Sequence, residues 1–172
     1  MKKILLGILL VLAGLPAGAQ RWQCAFSVKK TVQADSLALS GEGILSFSAP
    51  DTLSVHFSDP EGDYCIIEGH ALSYRVAGDT LSVDTMQVPA MRRLRGTVLG
   101  CLAGRYVKVA WINGADAVVE EQDSVKTVTL TARQPGEALF SRIVADYGED
   151  GQPLRMAVER SEGVAYAVEF RY

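Results

Sequence analysis

Residues 41–76, GEGILSFSAPDTLSVHFSDPEGDYCIIEGHALSYRV, limit the possible folds more than any other stretch of the chain. Leu45 and Phe47 alternate with Ser46 and Ser48. After Pro50-Asp51, Leu53, Val55 and Phe57 alternate with Ser54, His56 and Ser58. Period-two alternation gives a sheet with one apolar face and one wet face. The segment reads as four short strands, each turned back on the last, and the remaining chain must cover or use the apolar face.

The same rhythm extends in both directions. Trp22, Cys24, Phe26 and Val28 alternate with Gln23, Ala25, Ser27 and Lys29, which predicts a strand. Residues 31–40 form a less regular connection, and Gly41 and Gly43 mark a place where a bulge is easily made. Turn signals follow at 59–63, 68–69, 78–79, 113–114, 150–151 and 162–163; Asn113-Gly114 and Asp150-Gly151 are the dipeptides that type I′ hairpin turns favour. Between them, strands are expected at 81–83, 106–112, 117–121, 125–131, 139–146, 154–160 and 164–172. In the last of these Tyr166, Val168, Phe170 and Tyr172 share a face. About eleven antiparallel strands in one domain must curl into a barrel, a half-barrel or a sandwich.

Residues 88–105, VPAMRRLRGTVLGCLAGR, break the pattern. Met91, Leu94, Val98, Leu99 and Leu102 recur at helical spacing, with Pro89 suited to a helix start and Gly104 to a helix end. Arg92, Arg93 and Arg95 fall largely off this stripe. Gly96 and Gly100, four apart, signal close approach to another surface. The expected fold class is therefore mainly β with α: a curved antiparallel sheet with one amphipathic helix against its concave face.

The chain begins with a charged start, Lys2-Lys3, a short apolar run at 4–15, and the small residues Ala17-Gly18-Ala19. This is the pattern of a cleaved signal peptide over residues 1–19, leaving 20–172 as a single domain. An apolar run of about 12 residues is short of the roughly 20 that a spanning helix needs. Arg21-Trp22-Gln23, before Cys24, lack the small residues of a lipobox. The net charge of −3 gives no electrostatic case for nucleic acid. Cys24, Cys65 and Cys101 sit among apolar neighbours without a CxxC pair, which favours three buried thiols over one disulfide.

The residues offer little to catalysis. His56 and His70 are the only histidines and have no ligand spacing. Asp59, Glu61 and Asp63 read as a solvated turn. No GxSxG, HExxH, P-loop or dinucleotide fingerprint is present, and no catalytic residue, metal or cofactor is expected. Arg92, Arg93 and Arg95, with Arg105 beyond, form either a solvated helix face or a weak partner-binding site for an anionic membrane surface or acidic protein. The helical stripe, facing Leu45, Phe47, Leu53, Val55 and Phe57, is either ordinary core or the lining of an apolar ligand cavity that also includes Tyr166 and Phe170.

In order and spacing, Phe26-Ser-Val-Lys29, Ser40-Gly-Glu-Gly43, Leu45-Ser-Phe47, Pro50-Asp51-Thr-Leu53, Ile66-Ile67-Glu68-Gly69, a helix, then Val128-Thr-Leu130-Thr and Gly148-Glu-Asp-Gly151 resemble the LolA-like family, in its divergent branch. The family comprises periplasmic carriers of outer-membrane lipoproteins. The resemblance implies an incomplete β-barrel of LolA/LolB type, closed by helices around a cavity for acyl chains. It also implies a periplasmic location, with an acylated lipoprotein or other lipid, an inner-membrane exporter and an outer-membrane receptor as partners, and neither catalysis nor cofactor. The chain departs from the family pattern at Ala49, where an arginine is common, at Val55, where a tryptophan is common, and in leaving almost no room for a first helix before Trp22. The alternative is a non-catalytic structural or interaction protein with the same fold and a filled core.

Overall fold

The computed structural model describes residues 20–33 and 37–172; the expected signal peptide at 1–19 lies outside them. Among the described residues eleven strands form one sheet: β1 (Arg21–Val32), β2 (Leu37–Ser48), β3 (Thr52–Asp59), β4 (Tyr64–Glu68), β5 (Ala71–Val76), β6 (Asp79–Asp84), β7 (Ala115–Gln122), β8 (Val125–Ala132), β9 (Arg142–Tyr147), β10 (Pro153–Glu159) and β11 (Val164–Arg171). Their spatial order is β6-β5-β4-β3-β2-β1-β11-β10-β9-β8-β7, and each neighbouring pair is antiparallel. The first and last strands thus meet in the middle, while β6 and β7 are the two edges of an unclosed sheet.

This order dictates where the helices go. The segment joining β6 to β7 must travel from one edge to the other, and it carries α1 (Pro89–Leu102) and α2 (Tyr106–Asn113). Leu99 and Leu102 of α1 pack with Trp22, Phe47, Leu53 and Leu72 of one half-sheet. Cys101 and Val109 pack with Val128, Leu130, Phe140 and Ile143 of the other half. The sheet therefore curls around the crossover. Thr85 pins its start: its backbone N–H and its hydroxyl both donate to the His70 carbonyl, at 2.9 and 2.8 Å.

Local sequence sets the ends of the helices. Pro89 occupies the first turn of α1, where its missing N–H costs nothing. At the other end Gly104 takes φ +64°, the Arg105 N–H bonds the Gly100 carbonyl at 2.8 Å, and the Gly104 N–H bonds the Cys101 carbonyl at 3.1 Å. These are the two bonds of a Schellman stop. The Cys101 carbonyl also accepts the buried Tyr147 hydroxyl at 2.8 Å, which ties the helix end to β9.

Residues 106–112 are a correction to the strand expected there, and among the described residues the single expected helix becomes two. Val107, Val109 and Ile112 suggested a strand, but Val109, Ala110 and Asn113 are buried on one helical face while Val107, Lys108 and Trp111 point outward. Tertiary packing outweighs β propensity here. A Cβ at Gly100 would lie 2.5 Å from Val109 Cγ2, and one at Gly96 would lie 3.3 Å from Ile112 Cδ1. The two glycines spaced four apart are thus the surface on which α2 rests. Asn113 crosses the same contact, donating to Thr97 Oγ1 at 2.8 Å. Asn113-Gly114, read as a hairpin turn, instead ends α2: Gly114 supplies the left-handed conformation, φ +58°, that a helix stop and a type I′ turn both demand. The strand expected from 139 begins only at Arg142.

Candidate functional site

Cross-strand register sorts the apolar face into rows. One row runs Ile67, Leu53, Phe47, Trp22, with each residue directly opposite the next. Its side chains are large and all four are buried. Trp22 stacks obliquely on Phe47 at 5.3 Å and meets Phe170 and Tyr172 edge-on at 6.3 and 5.6 Å. This end of the half-barrel is filled.

The next row, Cys65, Val55, Leu45, Cys24, is made of smaller side chains. Beyond it, Gly43 stands between Phe26 and Phe57. A Cβ at Gly43 would collide with the His56 carbonyl, and the β2–β3 register shifts at this point, so the glycines anticipated as a bulge site do form one. With the volume reduced, space remains between the sheet and α1.

That space is an apolar cavity of about 350 Å³. Phe26, Leu45, Leu53, Val55, Phe57 and Cys65 form one wall, and Ile143, Met156, Val158, Val168 and Phe170 form the opposite one. Leu139 and Phe140, before β9, close a side, and Leu94, Thr97, Val98, Cys101 and Leu102 of α1 form the roof. Among the described residues no charged side chain lines it, and Thr97 is the only hydroxyl; it already accepts a hydrogen bond from Asn113. Leu94 lies at the rim, 39% exposed.

Of the residues expected at an apolar site, Leu45, Leu53, Val55, Phe57, Leu94, Val98, Leu102 and Phe170 therefore share one cavity. Four lie elsewhere. Phe47 is sealed in the aromatic row, Leu99 is buried in the core beneath α1, and Met91 packs half-buried against that core. Tyr166 is farther along β11, opposite Lys30, whose Nζ sits 5.9 Å from the ring centre. No local pattern in the sequence marks the wall from β9 and β10, or Leu139 and Phe140, as part of the site. Ile143, Met156 and Val158 do alternate, but only the β1–β11 pairing places them across from Phe57.

The electrostatics suit an inert lining. Burial pushes the Cys101 thiol up to about 12 and also raises Cys65 and Cys24, so all three remain protonated at neutral pH. They are free thiols, with Cys65 half-buried. His56 and His70 are exposed, outside the cavity. Among the described residues no group of three His, Cys, Asp or Glu side chains could hold a metal, and no helix is long and apolar enough to cross a membrane. Arg92 and Arg93 are exposed and Arg95 is half-buried. Arg93 Nη1 donates to the Glu137 carbonyl at 3.0 Å, joining α1 to the loop that leads to Leu139 at the cavity side.

No protein-family model matches the chain, and no curated protein matches it in sequence. Solved structures do resemble it. A LolA superfamily protein from Nitrosomonas europaea is 9% identical, with 90% of this chain and 86% of that one covered, at a TM-score of 0.40. A putative outer membrane lipoprotein-sorting protein domain from Vibrio parahaemolyticus is 8% identical, with 96% and 89% covered, at 0.41. The lipoprotein LppX of Mycobacterium tuberculosis is 14% identical, with 94% and 88% covered, at 0.37.

Proposed function

We propose that this protein is an exported, non-catalytic carrier, its single domain at 20–172 freed from a signal peptide at 1–19. It takes an acyl chain of a lipoprotein or another lipid into the cavity beneath α1 and moves it towards the outer membrane. On this reading the cargo arrives from an inner-membrane exporter and leaves to an outer-membrane receptor, as the family resemblance implies. The observation that carries the proposal is the cavity itself: hollow, uncharged and roofed by the helical stripe. A filled-core protein of the same fold has no use for the small-residue row beside the aromatic one.

Energetics favour an aliphatic occupant. Each buried methylene contributes about 0.8 kcal/mol, so ten of them supply about 8 kcal/mol before ordering costs. The volume lies at the small end of the ~300–1,000 Å³ typical of ligand pockets, which suits one chain better than several. With no cation or carboxylate in the lining among the described residues, the head group stays at the rim near Leu94.

Mass spectrometry of organic extracts from protein purified from a bacterial periplasm without detergent tests the reading. Stoichiometric acyl lipid is the expected result. Protein that carries no lipid, and takes up none when a long-chain fatty acid is added, would refute it.

A further inference from the structure

We propose that the outer face of α2, with the cationic groove beside it, is a docking surface for an anionic phospholipid bilayer. Trp111 is 83% exposed and Val107 70% exposed, one helical turn apart on the same face. Such exposure is unusual for side chains of this size, and no described residue covers them. The helix is not loose: Val109 is completely buried against Gly100, and Asn113 is bonded to Thr97, so the outward face is held rigidly.

The surroundings of this apolar tip are cationic. Between Val88 and Gly114 the chain has five cations, Arg92, Arg93, Arg95, Arg105 and Lys108, and no carboxylate, although the whole chain is net negative. Among the described residues none of the five forms an ion pair. Arg105 and Lys108 flank Trp111 and Val107 in one shallow depression. The same two side chains, with Arg95, line an adjoining groove of about 210 Å³ between α1 and the β2–β3 turn. Asp51 is the one acid there, leaving an excess of positive charge. The guanidinium groups of Arg95 and Arg105 and the ammonium of Lys108 match a phosphate in charge.

Aromatic and aliphatic tips ringed by long cationic chains are the pattern of a segment lying in a membrane interface. Tryptophan is enriched at head-group depth, and cations attract anionic lipid surfaces. The patch is open and shallow and its cations spread over two helices, which fits a broad anionic surface better than one acidic peptide. Trp111 and Val107 enter the interface, Arg105 and Lys108 meet head groups, and the Arg95 groove takes one phosphate. This inference does not depend on the cavity having a cargo.

The test is co-sedimentation of the mature chain with phosphatidylcholine vesicles, with and without phosphatidylglycerol. Binding is expected only with phosphatidylglycerol, weakening with salt. It should fall about fivefold for each of Arg105→Gln and Lys108→Gln, and be lost in Trp111→Ser. The emission of Trp111 should shift to the blue on binding, while buried Trp22 stays silent. Because all three sites are exposed, unchanged circular dichroism and melting temperature will certify the variants as folded. Val98→Trp, which plugs the cavity, should dock like the parent, separating failure of docking from failure of the carrier reading. Any of three results overturns the proposal: no binding to phosphatidylglycerol vesicles, binding indifferent to Trp111→Ser, or inorganic phosphate binding without vesicle partition. Self-association abolished by Trp111→Ser would overturn it too, in favour of a second copy as the occupant.

Discussion

Two neighbouring rows on one apolar face have opposite fates. Ile67, Phe47 and Trp22 pack solid, with Leu53 at the edge of the cavity, whereas Cys65, Val55 and Leu45 of the next row leave room above them, although both rows come from the same strands. The backbone is equally regular in both. What differs is side-chain volume per row. A cavity in such a fold is thus a matter of which volumes the register brings side by side, rather than of how hydrophobic a strand is.

The contrast should break first at the filled end. Phe47→Ala deletes a ring that is only 1% exposed, and should cost about 3–5 kcal/mol in urea unfolding. A far smaller loss would mean that the row is not packed solid. Val98→Trp works on the hollow side. It should fill the cavity, lower acyl-chain affinity at least tenfold and cost under about 1.5 kcal/mol, because the new ring occupies existing space. A loss of several kcal/mol with no change in affinity would mark Val98 as plain core. Leu94→Gln at the rim should weaken uptake several-fold while leaving stability within about 0.5 kcal/mol, as measured by fatty-acid titration and thermal melts.

The thiols give the finest test. Cys65 is only half-buried and faces the cavity, so a small alkylating reagent should modify it before buried Cys101, and a bound acyl chain should slow the reaction. Alkali should also destabilise the fold. The Cys101 thiol is raised from 9.0 to about 12, so above pH 9 the unfolded chain ionises it while the folded chain does not. Stability is fully present below pH 9 and falls as pH rises towards 12. Cys101→Ala should flatten that decline; an unchanged alkaline slope would assign it to other groups.

Strands were legible wherever one face met water, because Leu45-Ser-Phe47 and Leu53-Ser-Val55-His-Phe57 write their burial in alternation. Helix α1 was legible from its stripe, from Pro89 and from Gly104. Helix α2 was not: Tyr-Val-Lys-Val-Ala-Trp-Ile carries strand-forming residues, and the segment's helical seat on Gly96 and Gly100 is a tertiary contact that no local pattern writes. The stripe located the cavity roof, but not its extent. Ile143, Met156 and Val168 reach the site through the pairing of the first strand with the last, and no local pattern encodes contacts that distant. Trp111 was invisible as a surface residue for the same reason, since in a strand its side would have alternated with Lys108 and Ala110.

In the proposed function the space between the sheet and α1 accepts an acyl chain. The most direct measurement is a calorimetric titration of the detergent-free mature protein with a long-chain fatty acid, run beside Val98→Trp at several temperatures. One saturable site per chain is expected, with a negative heat-capacity change, the mark of buried apolar surface, and that site should be lost in the plugged variant. Saturable binding that Val98→Trp leaves intact, or no binding by the parent protein, would contradict it.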